Sequence, residues 1–161
     1  MLIKSDPAAP SAPDAPLTRP DDLRRMPGHM IRRLNQLSHA IFTEQMRRGA
    51  LDLTSVQYAA MIVLNHHPGI DQANLAEMIA FDRATIGGVV RRLEKKGLIE
   101  RQLDENDRRA RQLHLTEAGR AMLVQMDPRV RLVQDNILER LDETEHRLFL
   151  GLMRKMIGPD G

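Results

Sequence analysis

Basic side chains are concentrated between positions 83 and 111 of this sequence. Nine Lys or Arg stand there against five Asp or Glu, whereas the whole chain carries a formal net charge of only +2. A local excess of positive charge favours a polyanionic partner, although a solvated charged surface has the same composition. The chemistry that these residues permit is the binding of phosphate groups, provided that the basic side chains share one surface.

A helix predicted over 83–96 would bring part of this charge to one face. At about 100° per residue, Ile86, Val90 and Leu93 fall on an inner face. The outer face and its flanks carry small and basic residues, namely Arg83, Ala84, Thr85, Gly87, Gly88, Arg91, Arg92 and Lys95. Each glycine inside a helix costs roughly 1 kcal/mol, a sacrifice typical of a functional surface. The glycines indicate either close approach to a DNA major groove, with Thr85 and the arginines reaching bases and phosphates, or tight packing of another helix.

A second basic group lies in the polar loop 104–109. Arg108 and Arg109 would stand at the tip of a predicted hairpin, from which an arginine can enter the negatively charged minor groove. Arg111 opens the following strand. The aspartates in the loop can orient an arginine through paired hydrogen bonds. An ordinary solvated turn would contain the same residues, so the loop supports DNA binding only together with the helix.

Polar residues also open a predicted helix over 72–80. Gln72 and Asn74 begin it, and the free N–H groups of a helix N-terminus can bind phosphates. Asp71, immediately before them, and Thr54, before the preceding helix, are typical N-cap residues. Capping alone is therefore the alternative role for these positions.

Hydrophobic periodicity predicts the elements that position these residues. The predicted helices cover about 28–48, 55–66, 72–80, 83–96, 116–140 and 143–157, and the predicted strands cover 99–103 and 111–115. Gly49 and Gly97 fit helix ends, and Pro128 should bend or break the fifth helix. Two helices joined by a short turn and followed by a basic-tipped hairpin indicate a mainly α fold with a small β-hairpin wing, a winged helix-turn-helix.

Residues 1–27 differ in composition from the rest of the chain. They hold six of the nine prolines, with Ala, Ser and Asp between them. Because proline removes a backbone N–H and interrupts helices, this segment is predicted not to keep a helix and to form a flexible or extended arm. The alternative is an arm pinned against the folded body, which is expected to span 28–157.

The composition and motifs of the sequence argue against several classes of function. The absence of cysteine excludes disulfides, thiolate nucleophiles and zinc-finger sites. No apolar stretch approaches the roughly 20 residues that span a bilayer, and no apolar signal segment opens the chain, so a cytoplasmic protein without membrane contact is expected. Catalysis is not expected, because no glycine-rich phosphate loop and no His-Glu-x-x-His pattern occur. Only His66 and His67 are close together, and such neighbours seldom share one metal, so we expect no metal ion or cofactor.

Two runs of residues resemble the MarR family of regulators. The first resembles that family's recognition helix and first wing strand, through Asp82-Arg83-Ala84-Thr85, Gly88-Val89-Val90, Leu93-Glu94 and Lys96-Gly97-Leu98-Ile99 with Arg101. The second, Asp107-Arg108-Arg109-Ala110 and then Leu113-His114-Leu115-Thr116-Glu117-Ala118-Gly119, resembles its wing and the start of its long helix. The combined resemblance extends over 28–157 and leaves out only the proline-rich arm.

The resemblance implies an obligate homodimer. The segments 28–50 and 116–157 would form the dimerisation helices, and 54–115 would form the DNA-binding lobe. The family further implies a palindromic operator in double-stranded DNA and repression that a small molecule relieves. By matching position, Arg109 would enter the minor groove. A winged-helix module that binds proteins rather than DNA is the alternative function.

Three segments, 53–58, 67–72 and 83–90, resemble within that family the nicotinate-degradation repressors of the NicR and BpsR type. That resemblance implies control of aromatic-acid breakdown and an effector such as a hydroxynicotinate. The family places its effector between the dimerisation helices and the DNA-binding lobe, where an apolar slot with a few polar groups could form. The residues predicted to line it are Tyr58, Met61 and Ile62 on the second helix, His39 and Phe42 on the first, and Arg32. His39 or Arg32 would meet a carboxylate, and plain core packing is the alternative for the whole set.

Overall fold

The computed structural model describes residues 19–103 and 111–158. Its elements, in chain order, are a 3-10 helix (Pro20–Arg25), α1 (Pro27–Arg48), α2 (Ser55–His66), α3 (Gln72–Met78), α4 (Ile86–Lys95), β1 (Ile99–Leu103), β2 (Arg111–Leu115), α5 (Glu117–Leu138) and α6 (Glu143–Ile157). The predicted mainly α fold with a β-hairpin wing is confirmed. The chain divides into two compact units, of which the first ends at Gln36 and the second begins at Leu37.

The first unit contains the 3-10 helix and the beginning of α1. A flexible or extended segment was predicted here, and for 20–25 that prediction is wrong. Pro20 is the first residue of the helix, where its missing N–H leaves no hydrogen bond unmade. The Asp22 carboxylate accepts a hydrogen bond from the backbone N–H of Arg19 at 2.8 Å and closes the turn. Residues 1–18 of the predicted arm lie outside the described residues.

Side-chain caps begin the helices of the second unit. The Thr54 hydroxyl accepts from the backbone N–H of Gln57 at 3.3 Å, while the Gln57 side chain accepts from the backbone N–H of Thr54 at 2.9 Å. Asp142 and Glu145 form the same reciprocal capping box at α6. Thr116 caps α5. The Thr54 cap was predicted from the sequence, and all three caps depend on residues only a few positions apart.

One helix end and the interior of one helix differ in detail from their predicted form. After α1, the left-handed residue is Ala50, with φ 53°, rather than Gly49. The backbone N–H of Leu51 then donates to the Met46 carbonyl at 2.9 Å and closes the helix. Pro128 lies inside α5, which continues to Leu138, so the helix is not broken there.

The core of the second unit lies among the C-terminal part of α1, α2, α3, α4, α5 and the hairpin. Ile86, Val90 and Leu93 are each 1% exposed or less, which confirms the predicted inner face of α4. The backbone segment between α2 and α3 adds a bridge to the wing that the sequence did not predict. There the Ile70 carbonyl accepts from the N–H of Leu113 at 3.0 Å. This bridge extends the antiparallel hairpin and fixes the wing against the lobe.

Large apolar side chains remain exposed on α1 and α6. On α1 they are 41–55% exposed and comprise Met30, Ile31, Leu34 and Leu37. On α6 they are 39–69% exposed and comprise Leu148, Leu150, Leu152, Met153, Met156 and Ile157. Several exposed apolar side chains along one helix mark a candidate interaction site on that helix. Among the described residues, no helix combines the length and the apolar character that crossing a bilayer requires.

Candidate nucleic-acid interface

A turn leads into α4. The Asp82 carboxylate accepts hydrogen bonds from the backbone N–H groups of Ala84 and Thr85, both at 3.0 Å. The helix itself begins only at Ile86, so the predicted start at 83 is wrong. The reason is that Asp82 caps a separate turn before α4 forms. Arg83, Ala84 and Thr85 are all exposed on this turn.

The outer face of α4 is exposed and basic. Arg91, Arg92 and Lys95 are exposed, whereas the opposite face of the helix is buried in the core. The arginines therefore project from a short helix whose own position is fixed by packing. Such a helix can present several cations to a polyanion without a large loss of backbone freedom.

Gly87 and Gly88 lie in the first turn of α4 rather than in its interior. A glycine in the first turn destabilises a helix by less than the roughly 1 kcal/mol expected for a glycine in the helix interior. A Cβ on Gly87 would meet the Gln72 amide at 3.4 Å and Arg91 Nη1 at 3.5 Å, and one on Gly88 would meet Arg92 Nη1 at 3.7 Å. These neighbours are the ends of flexible side chains. Among the described residues, the nearest atoms to either glycine belong to side chains and not to the backbone of another helix, and both glycines are partly exposed, so the surface here is thin.

The start of α3 contributes one of its two predicted residues to this surface. Gln72 reaches the beginning of α4, as its approach to Gly87 indicates. Asn74 is engaged in capping instead. Asp71 Oδ1 accepts from the backbone N–H of Asn74 at 2.9 Å, and Oδ2 accepts from the Asn74 side-chain amide at 2.8 Å. Asn74 therefore belongs to the cap of α3, and Gln72 remains a candidate contact with DNA.

An acidic residue of α3 holds the side chain of Arg83. Arg83 Nη2 donates to Glu77 Oε2 at 2.6 Å, and each side chain is 67% exposed. Glu77 was not predicted as a site residue. An exposed acidic residue on a short helix gives no signal until the turn between α3 and α4 brings it to a basic partner.

The wing is described only along its strands. Arg111 is exposed and pairs across the hairpin with Leu103. Arg108 and Arg109 lie outside the described residues, so their placement at the tip stays a prediction. Arg101 lies back against α4, with its Nε 3.4 Å from Glu94 Oε2 and its side chain 24% exposed. This ion pair joins β1 to α4, so the Arg101 side chain does not project away from the wing.

The predicted effector residues divide into a buried and an exposed group. The Phe42 and Tyr58 rings are tilted at 47° with centroids 6.3 Å apart. Phe42 is almost fully buried and Met61 is completely buried, which for Met61 fits the core alternative. Ile62 and Tyr58 are partly buried, so only Tyr58 offers a polar group near an accessible edge. His39 is exposed, as is Arg32 in the first unit.

Two charged residues of α5 act on Tyr58. Partial burial and the negative charge of Asp127 raise the pKa of Tyr58 above its ordinary value, while Arg131 lowers it. Arg131 Nε donates to Asp127 Oδ2 at 2.8 Å, and this hydrogen bond raises the pKa of Arg131. Neither residue was predicted, because no local sequence pattern connects α5 with α2. Elsewhere in the described ranges, no three His, Cys, Asp or Glu side chains cluster as a metal site would require.

Comparison with known sequences identifies clear relatives. Residues 53–110 match the model of the MarR family. The HTH-type transcriptional repressor NicR of Pseudomonas putida is 38% identical over 149 residues, which cover 91% of this chain and 92% of NicR. The similarity therefore extends well beyond the DNA-binding lobe.

Solved structures agree with that relationship. BpsR of Bordetella bronchiseptica, whose structure concerns the regulation of its DNA binding by 6-hydroxynicotinic acid, superposes with a TM-score of 0.75 at 29% identity, covering 81% of this chain and 92% of that chain. PcaV of Streptomyces coelicolor, in complex with its natural ligand, superposes with a TM-score of 0.76 at 31% identity, covering 86% and 96%.

Proposed function

The chain belongs to the MarR family of transcription regulators, which is not an enzyme family, and we propose that it is a ligand-responsive repressor that binds a palindromic operator as a homodimer. The observation that carries the proposal is the exposed outer face of α4, where Arg91, Arg92 and Lys95 stand beside Gly87 and Gly88. A thin helix with cations at its edges suits the major groove, because bases and phosphates are then both within reach.

The dimer is supported by the exposed apolar faces of α1 and α6. A surface of this composition is stable in water only when another surface covers it, and a second copy of the chain offers the same surface. Two-fold symmetry would place two α4 helices in successive major grooves. The matching operator has half-sites about one helical turn, roughly 10 bp, apart.

The experiment that tests DNA recognition is a fluorescence-anisotropy titration with the promoter region of the protein's own gene. We expect tight, salt-sensitive binding that a scrambled duplex does not reproduce. The Arg91→Ala variant should lose roughly 5- to 150-fold in affinity, corresponding to about 1–3 kcal/mol for a base-contacting arginine. Arg109→Ala should weaken binding less. Arg147→Ala is the control, since it removes an exposed positive charge from α6.

The outcomes of that titration separate the alternatives. Wild-type affinity in both the Arg91 and Arg109 variants would refute the contact assignment. Equal affinity of the wild-type protein for promoter and scrambled DNA would favour a winged-helix module that binds other proteins. A loss in the Arg147 variant equal to that in the Arg91 variant would mean that overall charge, not the α4 face, governs binding.

The proposed effector is a small aromatic carboxylate of the hydroxynicotinate class. The named ligand of BpsR supports this class, and so does the region around Tyr58, whose ring contacts Phe42 and whose pKa is raised by burial and lowered by the charge of Arg131. We assign the carboxylate to Arg131 rather than to Arg32 or His39, because Arg131 is the cation whose charge acts on Tyr58. An arginine can hold a carboxylate through two parallel hydrogen bonds.

A thermal-shift titration with 6-hydroxynicotinic acid tests the effector. At a concentration about 100-fold above Kd, bound ligand should stabilise the wild-type protein by about 2.7 kcal/mol. The same ligand should lower affinity for promoter DNA. Arg131→Ala should abolish both effects while DNA binding without ligand persists. A wild-type protein that responds to no aromatic carboxylate would overturn the effector assignment and leave the DNA-binding proposal intact.

A further inference from the structure

Glu77 is an acidic residue beside a surface that we assign to a polyanion. It belongs to α3, and its carboxylate Oε2 lies 2.6 Å from Nη2 of Arg83, the first residue of the turn that leads into α4. A carboxylate at this place repels phosphate, so its presence calls for a compensating role. Among the described residues, the Glu77 carboxylate accepts its hydrogen bond from that arginine.

We propose that Glu77 is a positioning residue that orients the Arg83 guanidinium for sequence-specific contact with DNA, an inference that rests on the proposed function. The contact uses a single nitrogen of Arg83. An arginine carries five N–H donors in a planar fork, so roughly four donors remain available for a base edge or a phosphate. The carboxylate therefore orients the guanidinium while leaving most of its N–H donors available.

The backbone around the pair is already fixed. Asp82 caps the turn through the N–H groups of Ala84 and Thr85, which holds the Cα of Arg83 in place. On the other side, the N–H of Phe81 donates to the Ala76 carbonyl at 2.8 Å and closes the end of α3. What remains free is the long arginine side chain itself, and the bond to Glu77 restricts that freedom. A side chain restrained before binding loses less conformational entropy when the complex forms.

The energetics of the pair favour a functional over a stabilising role. Both side chains are 67% exposed. An ion pair in that environment is screened by solvent and contributes little to folding stability. Replacing Glu77 should therefore leave the fold unchanged, which makes the residue suitable for a direct test.

The substitution Glu77→Gln changes DNA affinity in opposite directions depending on whether Glu77 positions Arg83 or only adds negative charge. If Glu77 only adds negative charge, Glu77→Gln should raise affinity for every duplex, because one repulsive charge is lost. If Glu77 positions Arg83, the same substitution should lower affinity for promoter DNA by roughly two- to tenfold, as expected for releasing one restrained side chain. Affinity for a scrambled duplex should still rise, so the ratio of specific to non-specific affinity falls.

The experiment measures Kd for promoter and scrambled duplexes at several salt concentrations. The proteins are the wild type, Glu77→Gln, Arg83→Ala and the double variant. In the Arg83→Ala background, Glu77→Gln should no longer reduce promoter affinity, because no guanidinium is left to orient. Glu100→Gln serves as the control, since it removes an exposed negative charge from the wing strand, and it should raise affinity for both duplexes.

A rise in promoter affinity for Glu77→Gln, or no change, would overturn the positioning role. An equal loss of promoter affinity in the wild-type and Arg83→Ala backgrounds would also overturn it. Failure of the proposed function looks different, because the wild-type protein would then not distinguish promoter from scrambled DNA at all.

Discussion

Gly119 lies where the first turn of α5 meets the backbone at the start of the wing. A Cβ built on this residue would come within 2.2 Å of the Leu98 carbonyl oxygen and 2.6 Å of Leu115 Cδ1. The carbonyl cannot simply move, because it accepts a hydrogen bond from the backbone N–H of Thr116 at 3.1 Å. The Thr116 hydroxyl also donates to the Gly97 carbonyl at 2.7 Å, so the approach is held from two sides.

The cost of Gly119→Ala follows from this geometry. To reach an ordinary contact distance, the Leu98 carbonyl and α5 would have to separate by about 1 Å. Overpacking of this kind costs about 1–3 kcal/mol. Loss of the Thr116 hydrogen bond would add about 1 kcal/mol. We therefore expect destabilisation of about 3 kcal/mol, equivalent to a fall in Tm of about 6–12 °C for a chain of this length.

Thermal unfolding followed by circular dichroism at one fixed protein concentration measures the effect. The concentration must be fixed because the Tm of a dimer depends on it. Gly88→Ala is the matched control, since its added Cβ would meet only the ends of Arg92 and Arg91, at 3.7–3.9 Å. The control should unfold at or above the wild-type temperature. A Gly119→Ala protein with an unchanged Tm would show that this close approach does not exist.

Three further predictions address function and assembly. The Gly88→Ala variant should keep its fold and bind promoter DNA at least fivefold more weakly than the wild type, because about 1 kcal/mol is lost when a methyl group enters a close contact. Unchanged affinity in the anisotropy titration would refute close approach of this turn to DNA. Tyr58 is the only tyrosine in a chain without tryptophan, so its titration can be followed by tyrosinate absorbance. Its raised pKa means that the neutral phenol stabilises the fold below the ordinary pKa of 10.0, and that this contribution is lost as the pH rises through the raised value. Asp127→Asn should lower the pKa of Tyr58 and Arg131→Ala should raise it, and shifts in the reverse order would contradict the assigned neighbours. Leu152→Glu on α6 should yield monomers in analytical ultracentrifugation, whereas Leu103→Glu on the wing strand, similarly exposed, should not; a dimeric Leu152→Glu protein would remove α6 from the interface.

Most of the fold could be predicted because its signals are local. Helix starts at Thr54, Thr116 and Asp142 depend on hydrogen bonds between residues three positions apart, and the periodic burial of α4 follows from its own apolar spacing. The errors arose where local signals compete. Asp82 can cap either a helix or a turn, and the sequence does not distinguish the two. Pro20 can begin a short helix as readily as it interrupts a longer one.

The sequence by itself determined which residues form the outer face of α4, because the inner face is defined by apolar residues at helical spacing. It also determined the family, since the motifs around that helix and the wing are contiguous. Only the tertiary structure decided which partners meet from different elements: Glu77 with Arg83, Asp127 and Arg131 with Tyr58, and Gly119 with Leu98. Such contacts depend on how helices and turns pack in three dimensions. These contacts cannot be predicted from positions along the chain, because the packing of the core sets where each element lies.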